Sequence, residues 1–535
     1  MIDLAMVGAG GAAVIAVVSQ CDPIDFNRDG LYPDNRDLED FLWVFGGGDC
    51  PTQACSDMDF NNDGLPLDVS DIESFMRVAG GGPCVPITQP PPPVGFTAMP
   101  PLQPGAVEIV VSSWRGNDAN PGTIQSPVRT TREAWRRIRD RNTGDRIYIE
   151  SGDYYEQFGP LGIDGGWTRG GPSAAQPLII TAAPWATSRP RFIHNGDVMR
   201  IQGAPTRHVW IMGLEFVATR ALPGASQADI DNGPKGFAWY AYGGDIFMED
   251  CRIVGFGENV SLQSPSESQD VGPFTFRRCI FVDSFSGAGA HSQGIYASNV
   301  SGLYVEECII DHNGWSEVIP DRPSTMFNHG LYAVSNSSGV LVQRSLVSRN
   351  SATGLQLRGH DGSAVYNLVI DNALGITAGH EMQSPGQEWT GSILNNVVVG
   401  GRDLAGNLPR GMALGVNYAQ GGQMHGNVVQ ELAGGSRCGF WFPPGPASIH
   451  DISGNLAFLG TAVAENWQRP QEPVGYNLYS GQSTGPISLD ASVATTGMTR
   501  AQWYDAMRNR PLRAWNPEIS PERIARNIRN AVGLP

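Results

Sequence analysis

Two acidic runs carry the most concentrated chemistry in the chain: DFNRDGLYPDNRD, Asp25 to Asp37, and DFNNDGLPLDVSD, Asp59 to Asp71. Each sets carboxylates and amides at short intervals around one glycine. A hard cation fits this pattern, because calcium takes roughly six to eight oxygens from carboxylates, amides and a carbonyl around a sharp glycine turn. The expected ligands of the first run are Asp25, Asn27, Asp29, Asp34 and Asp37, with the Leu31 carbonyl. Those of the second are Asp59, Asn61, Asp63, Asp68 and Asp71, with the Leu65 carbonyl. Two calcium ions are therefore expected here.

A second concentration of reactive groups lies far downstream, in HSQGIYASN (291–299), FNHGLYAVS (327–335), TGLQLRGHDGS (353–363) and GITAGHEMQ (375–383). Aligned on their glycines, these segments put Tyr296, Tyr332, Gln356 and Thr377 in one row. His329 stands just before it, and Arg358, His360, Asp361, His380 and Glu381 just past it. Imidazole, phenol, guanidinium and carboxylate together are the tools of proton transfer on a polar substrate. His329, Tyr332, Arg358, Asp361, His380 and Glu381 are the catalytic candidates; Tyr296, Gln356, His360 and Lys235 are the binding candidates. Lys235 is the chain's one lysine and immediately precedes such a glycine.

The elements that must position these groups repeat. In the front region Cys21 matches Cys55, Phe26 matches Phe60, and Phe41 matches Phe75. Leu38 with Phe41, and Ile72 with Phe75, share one helical face. Both copies end in Gly-Gly-Gly and a cysteine, Cys50 or Cys84. Equal spacing favours Cys21–Cys50 and Cys55–Cys84 disulfides among the three possible pairings.

Downstream, short two-faced strands recur around Cys251, Cys279, Cys308, Ser345, Asn367, Asn396, Asn427 and Asn455, at spacings of 22 to 37 residues. A second ladder starts on Gly236, Gly294, Gly330, Gly354, Gly375, Gly411 and Gly439. Such periods, with no helix between, predict a β-solenoid whose like residues stack in internal ladders. The three cysteines are expected as buried thiols, since parallel side chains one coil apart aim poorly for disulfides. Between the two regions, VPITQPPPPVGFTAMPPLQPG (85–105) reads as an extended proline-rich linker.

The front repeat, about residues 21–84, resembles a dockerin domain, with one extra residue in each loop. That resemblance implies a calcium-folded attachment module that binds a cohesin-type or cell-surface protein. The downstream part resembles the right-handed parallel β-helix of pectate-lyase-like proteins. Its entry segment, GNDANPGTIQSPVRTTREAW (116–135), then GDRIYIESGDYYEQ (144–157), agrees with the same group. The expected organisation is thus a signal-like apolar segment at 1–20, a dockerin-like module at 21–84, a linker at 85–105, an all-β right-handed parallel β-helix at 106–480, and capping helices at 481–535.

Composition narrows the partners. The chain of 535 residues has a formal charge of −17. Residues 1–86 contribute −12 of it, from 15 acidic and 3 basic residues. With no basic stripe, nucleic acid is not an expected partner. The apolar run Leu4 to Val18 is too short for a bilayer and reads as the core of a signal peptide, so the protein is expected outside the cell or on its surface.

The site inventory suits three functions on a polysaccharide partner. A lyase would neutralise a uronate carboxylate with Arg358 and move protons with His329 or Tyr332, or use a third calcium ion held by Asp361 and Glu381. A glycoside hydrolase would need two carboxylates flanking the bond, Asp361 with Glu381 or Asp311 with Asp321. A non-catalytic adhesion domain would need neither. The lyase is the first expectation.

Overall fold

The computed structural model describes residues 25–28, 35–45, 48–52, 55, 60 and 74–75 of the front region. From 95 to 534 it describes all but 139–140, 159–169, 267–268, 288–289, 335, 380–388, 417–419, 442–447, 461–475 and 481. The chain divides into two units, Met1–Gly95 and Phe96–Pro535. No helix among the described residues is long and apolar enough to cross a membrane.

In the first unit the helix Asn35–Phe45 starts with Asp37 in its first turn, where a carboxylate favours the helix dipole. Its inner face carries Phe41. Phe26, Phe41, Phe60 and Phe75 are all buried. Phe26 meets Phe41 edge-on at 5.1 Å, Phe60 meets Phe75 edge-on at 5.0 Å, and Phe41 stacks on Phe75 at 4.4 Å. The two repeats therefore share one aromatic core, each supplying an equivalent pair of rings. The disulfide differs from expectation. Cys50 bonds Cys55, with Cα atoms 5.9 Å apart, so the end of one repeat is tied to the start of the next. Neither the Cys21–Cys50 nor the Cys55–Cys84 pairing is formed, because Cys50 and Cys55, five residues apart across the repeat boundary, take each other.

In the second unit the later coils of a parallel β-helix turn through three short strands, whereas two earlier coils run their first two faces as one long strand, Met199–Met212 and Lys235–Glu249. One coil reads Gln293–Ser298, Ser301–Glu306 and Ile309–Asp311; the next reads His329–Ala333, Ser338–Gln343 and Leu346–Ser348. Strand one pairs in parallel with strand one of the next coil, strand two with two, and three with three. Three faces result.

The chain passes from the second face to the third at a single residue in the left-handed region. Asp250, Arg278, Glu307, Arg344, Tyr366 and Asn395 hold this place, with φ between 50° and 59°. The residue after each is a ladder position found in the sequence. Asn367 Nδ2 donates to Asn396 Oδ1 at 2.9 Å, Asn396 to Asn427 at 3.0 Å, and Asn427 to Asn455 at 2.8 Å. Cys251, Cys279 and Cys308 continue the ladder as buried free thiols, as expected. A second ladder, Asn259–Asn313–Asn350–Asn372, runs inside the next corner and was not anticipated.

The first-face register matches the glycine alignment, with one correction. Thr377 pairs with Gly415, not Ala413, so the Gly411 segment is shifted by two residues. An even shift leaves each side chain on its original face.

Two further expectations change. The helices Leu489–Ala494, Arg500–Arg508 and Pro521–Ala531 do not cap an open end. Leu489, Trp503, Met507 and Ile528 pack on Ile280, Ile309, Leu346, Leu368 and Val397, so they roof the third face. Its strands are consequently buried on both sides, and Leu346–Ser348, Leu368–Ile370 and Val397–Val399 are buried throughout. The end is closed instead at the start of the solenoid, where Thr131–Ile138 buries Ala134, Trp135 and Ile138 against Ile109 and Ile147. The final part of the expected linker belongs to the solenoid unit. Phe96 lies against Arg278, the Thr97 amide donates to Glu249 at 2.9 Å, Met99 packs on Val110 and Tyr148, and the Pro100 carbonyl accepts from Arg146. Residues 96–103 thus form a strap along the second face.

Candidate functional site

The outward row of the first face is set by strand register. Ser261, Tyr296, Tyr332, Gln356 and Thr377 occupy one line across successive coils. Alternation turns their neighbours inward: Ile295, Leu331, Leu355 and Ile376 are buried in the core. Four of the row's members were expected together, and the register brings them together.

At the centre, Arg358 donates from Nη1 to the Tyr332 hydroxyl at 3.0 Å, its guanidinium lying 5.2 Å from the ring centre. The orientation of the Gln356 amide follows from its neighbours. Gln356 lies between the His329 ring and the Arg358 guanidinium, and its oxygen accepts from Arg358 Nη2 at 2.6 Å. The His329 ring meets Tyr332 at 5.1 Å, and Tyr296 meets Tyr332 at 5.7 Å. His329, Tyr332, Gln356 and Arg358 therefore form one contact group, with Tyr296 beside it. Burial, with the positive charge of Arg358 and the nearby His291, holds His329 down to about 3. The imidazole is neutral, suited to orienting Gln356 more than to trading protons.

Lys235 joins the same row from the other end. Its Nζ donates to Glu258 at 2.6 Å and to Ser261 at 3.1 Å, and lies 5.6 Å from the Tyr240 ring centre. Burial works against its charge, but Glu258 outweighs burial and holds the amine above its ordinary value. Burial likewise raises the Tyr296 phenol, with Glu258 adding to the shift and Lys235 opposing it. Sequence reasoning missed Glu258; of Trp239 and Tyr240, one was expected to face outward, and it is Tyr240. The signal for Glu258 was present, since it lies one coil after Lys235.

The remaining candidates fall elsewhere. Asp361 turns its carboxylate to the Gly339 amide at 2.5 Å, in the corner between first and second faces. His360 is exposed in the same corner, and its carbonyl accepts from Thr390. His380 and Glu381 lie outside the described residues. Asp311, half of one proposed hydrolase pair, is buried on the third face and bonded to Arg349 and Ser348.

Of the calcium-loop candidates, Asp25, Asn27 and Asp37 are described. The Asn27 amide donates to Asp37 Oδ1 at 3.5 Å, and Asn27 Nδ2 to Asp40 at 2.9 Å. The buried Asp37 carboxylate at the start of the helix is thereby drawn to the loop. Asp29, Leu31, Asp34, Asp59, Asn61, Asp63, Leu65, Asp68 and Asp71 lie outside the described residues.

The sequence model of the family described as Right handed beta helix region matches residues 224–402, the stretch that carries this row. With three-faced parallel coils on both sides of that stretch, the solenoid is a right-handed parallel β-helix. No curated protein matches the chain. Among solved structures, a complex of XylC with xylose is similar at 12% identity and a TM-score of 0.43, covering 70% of this chain and 82% of that one. A GH136 lacto-N-biosidase from Eubacterium ramulus gives 13% identity and 0.34, covering 70% and 67%. A rhamnogalacturonan lyase gives 14% and 0.34, covering 72% and 90%. These likenesses all fall below a TM-score of 0.5, so the function argued next rests on the chain's own residues.

Proposed function

We propose that the protein is a secreted polysaccharide lyase that cleaves a uronic-acid polymer by β-elimination on the first face of its β-helix. The observation that supports this best is Tyr332 held by Arg358 within the polar row. The Arg358 charge stabilises a phenolate and the negative charge that develops on the uronate. Tyr332 as phenolate takes the proton from the carbon next to the carboxyl. The carbon–carbon double bond forms, the bond to the leaving oxygen breaks, and Tyr332 returns the proton to that oxygen. His329 and Gln356 are positioning residues for Arg358. Lys235 and Tyr296 hold the polymer further along the row. The hydrolase reading is weaker, because Glu258 is the single carboxylate on the described first-face strands and it is paired with Lys235.

The front unit, in this reading, is a dockerin-like attachment module for a cohesin-type or cell-surface partner. Asp25, Asn27 and Asp37, with the other loop donors, would hold calcium, which would fasten loop to helix. No step of the chemistry passes through calcium. Titration of the protein with calcium tests the module, and no uptake at millimolar concentration would remove it.

For the reaction, the full chain is incubated with acidic and neutral polysaccharides while ultraviolet absorbance of unsaturated uronates and reducing ends are followed together. Both should rise. Reducing ends rising alone would replace the lyase with a hydrolase, and polymer binding without either would favour the adhesion domain.

A further inference from the structure

A second group of exposed aromatics lies away from the first face. Trp114 follows the strand Glu108–Val111 and Trp185 follows Leu178–Ala182, at the same corner of the solenoid. These strands are separated by Arg146–Ile149 alone, so the two indoles stand two coil steps apart, roughly 10 Å. That distance is comparable with a disaccharide in an extended chain. Trp114 is 72% exposed and Trp185 42% exposed.

One carboxylate ties them together. Glu150 accepts the Trp185 indole N–H at 2.9 Å and the Arg115 Nε–H at 2.9 Å, and the Arg115 guanidinium lies 5.7 Å from the Trp114 ring centre. Tyr148 backs Trp185 at 6.0 Å. Trp185 is thus held before any ligand arrives, which reduces the entropy lost on binding.

Beside them opens a polar cavity of about 520 Å³. Gly152 lines it, and a Cβ there would lie 3.9 Å from Trp114. Arg189, Arg191, Arg252, Arg510, Asp153 and Glu215 line it as well. Counting the buried Asp250, which pairs with Arg189 and Arg510, one positive charge is in excess. Arg191 is held by Asp153 through Nε at 2.9 Å and Nη2 at 3.0 Å. Its Nη1 has no hydrogen-bond partner among the described residues and presents donors to the cavity. Aromatic faces beside fixed polar donors suit a sugar ring, which is apolar on its faces and polar at its edge. A guanidinium adds recognition of a carboxylate.

We propose that this corner is a second, non-catalytic binding site for an acidic oligosaccharide, with Trp114 and Trp185 stacking on sugar rings and Arg191 taking a carboxylate. It rests on the uronate reading for its ligand class, but on separate residues. The test is calorimetric titration of the full chain with an oligogalacturonate, and with a cello-oligosaccharide as the neutral control. The variant Lys235→Ala/Tyr296→Ala/Arg358→Ala removes the side chains by which the first face holds polymer and should still bind the acidic probe at one site. Adding Trp114→Ala and Trp185→Ala, or Arg191→Gln alone, to that variant should weaken this binding roughly tenfold or more. Loss of all binding in the first-face variant, or indifference to these added changes, overturns the proposal. Equal affinity for the neutral probe overturns its acidic assignment. Corner binding without unsaturated product would instead defeat the lyase reading and leave this site standing.

Discussion

Tyr332 is the residue on which the chemistry turns. Tyr332→Phe keeps the ring that packs on Tyr296 and His329 and removes the hydroxyl that Arg358 holds. Turnover should fall by about 10²–10⁴-fold, the usual worth of a general acid–base, with the melting midpoint unchanged. A parallel fall in the midpoint would make Tyr332 structural. His312 offers a different test. Its Nδ1 meets Asp283 at 2.8 Å and its Nε2 meets Glu317 at 2.6 Å, with Asp311, Arg349 and Arg508 close by. Burial disfavours its charge, but Asp283 and Glu317 outweigh burial and raise the imidazole above its ordinary value. A raised folded value means stability that is complete below the unfolded value, about pH 6.5, and lost as pH rises through the higher folded one. The unfolding midpoint should therefore decline above about pH 6.5, and His312→Gln should remove that decline. An unaltered pH profile in the variant would refute the assignment.

At the scale of the element, stacked side chains replace local propensity as the organising force. Asn396 shows how. Its Oδ1 accepts from the Asn367 backbone at 3.0 Å and from the Asn367 side chain at 2.9 Å, while its own Nδ2 donates to Ala364 at 2.8 Å. Asn396→Ala orphans these buried groups, at roughly 1–3 kcal/mol for each one left unsatisfied. Urea unfolding should show a larger loss than for Cys279→Ala, whose sulfur is a weak hydrogen-bonding partner; equal losses would deny the ladder its role. This ladder was legible because its members recur at coil spacing and flank strand-like runs. Tyr296, Tyr332, Gln356 and Thr377 were legible because glycines mark one register. The second asparagine ladder repeats over the same period, in DHN, SRN and DNA, but without flanking regularity. The charged corner was less legible still. There Asp250, Arg278, Glu307 and Arg344 alternate in sign from coil to coil, Arg278 Nε meeting Glu307 at 2.7 Å, and only the fold stacks them. The pairing of Cys50 with Cys55 depends on how the repeats meet, which spacing within a repeat does not encode.

For the whole molecule, the solenoid unit is closed by three additions at different sites: a helix over its first coil, a helical roof on its third face, and the strap on its second. The strap begins at Phe96, beside Arg278, and runs back to Arg146 beside the first strands. A chain lacking residues 1–95 should keep the melting midpoint of the solenoid, while one lacking 1–105 should melt lower, having exposed Val110, Tyr148 and Ala183 and taken the Thr97 amide from Glu249. Identical midpoints would show that the strap adds no stability. The strap's direction also has a mechanical meaning. If the front unit is anchored and the solenoid grips its polymer, tension enters at Phe96 and loads Arg278, then Thr97, then Met99, one contact after another. Pulled away from the face, such a strap peels at low force; pulled along it, all contacts shear at once. In the first case the strap would act as an extensible fuse, lengthening the tether while the asparagine ladders, loaded last, keep the working face in register.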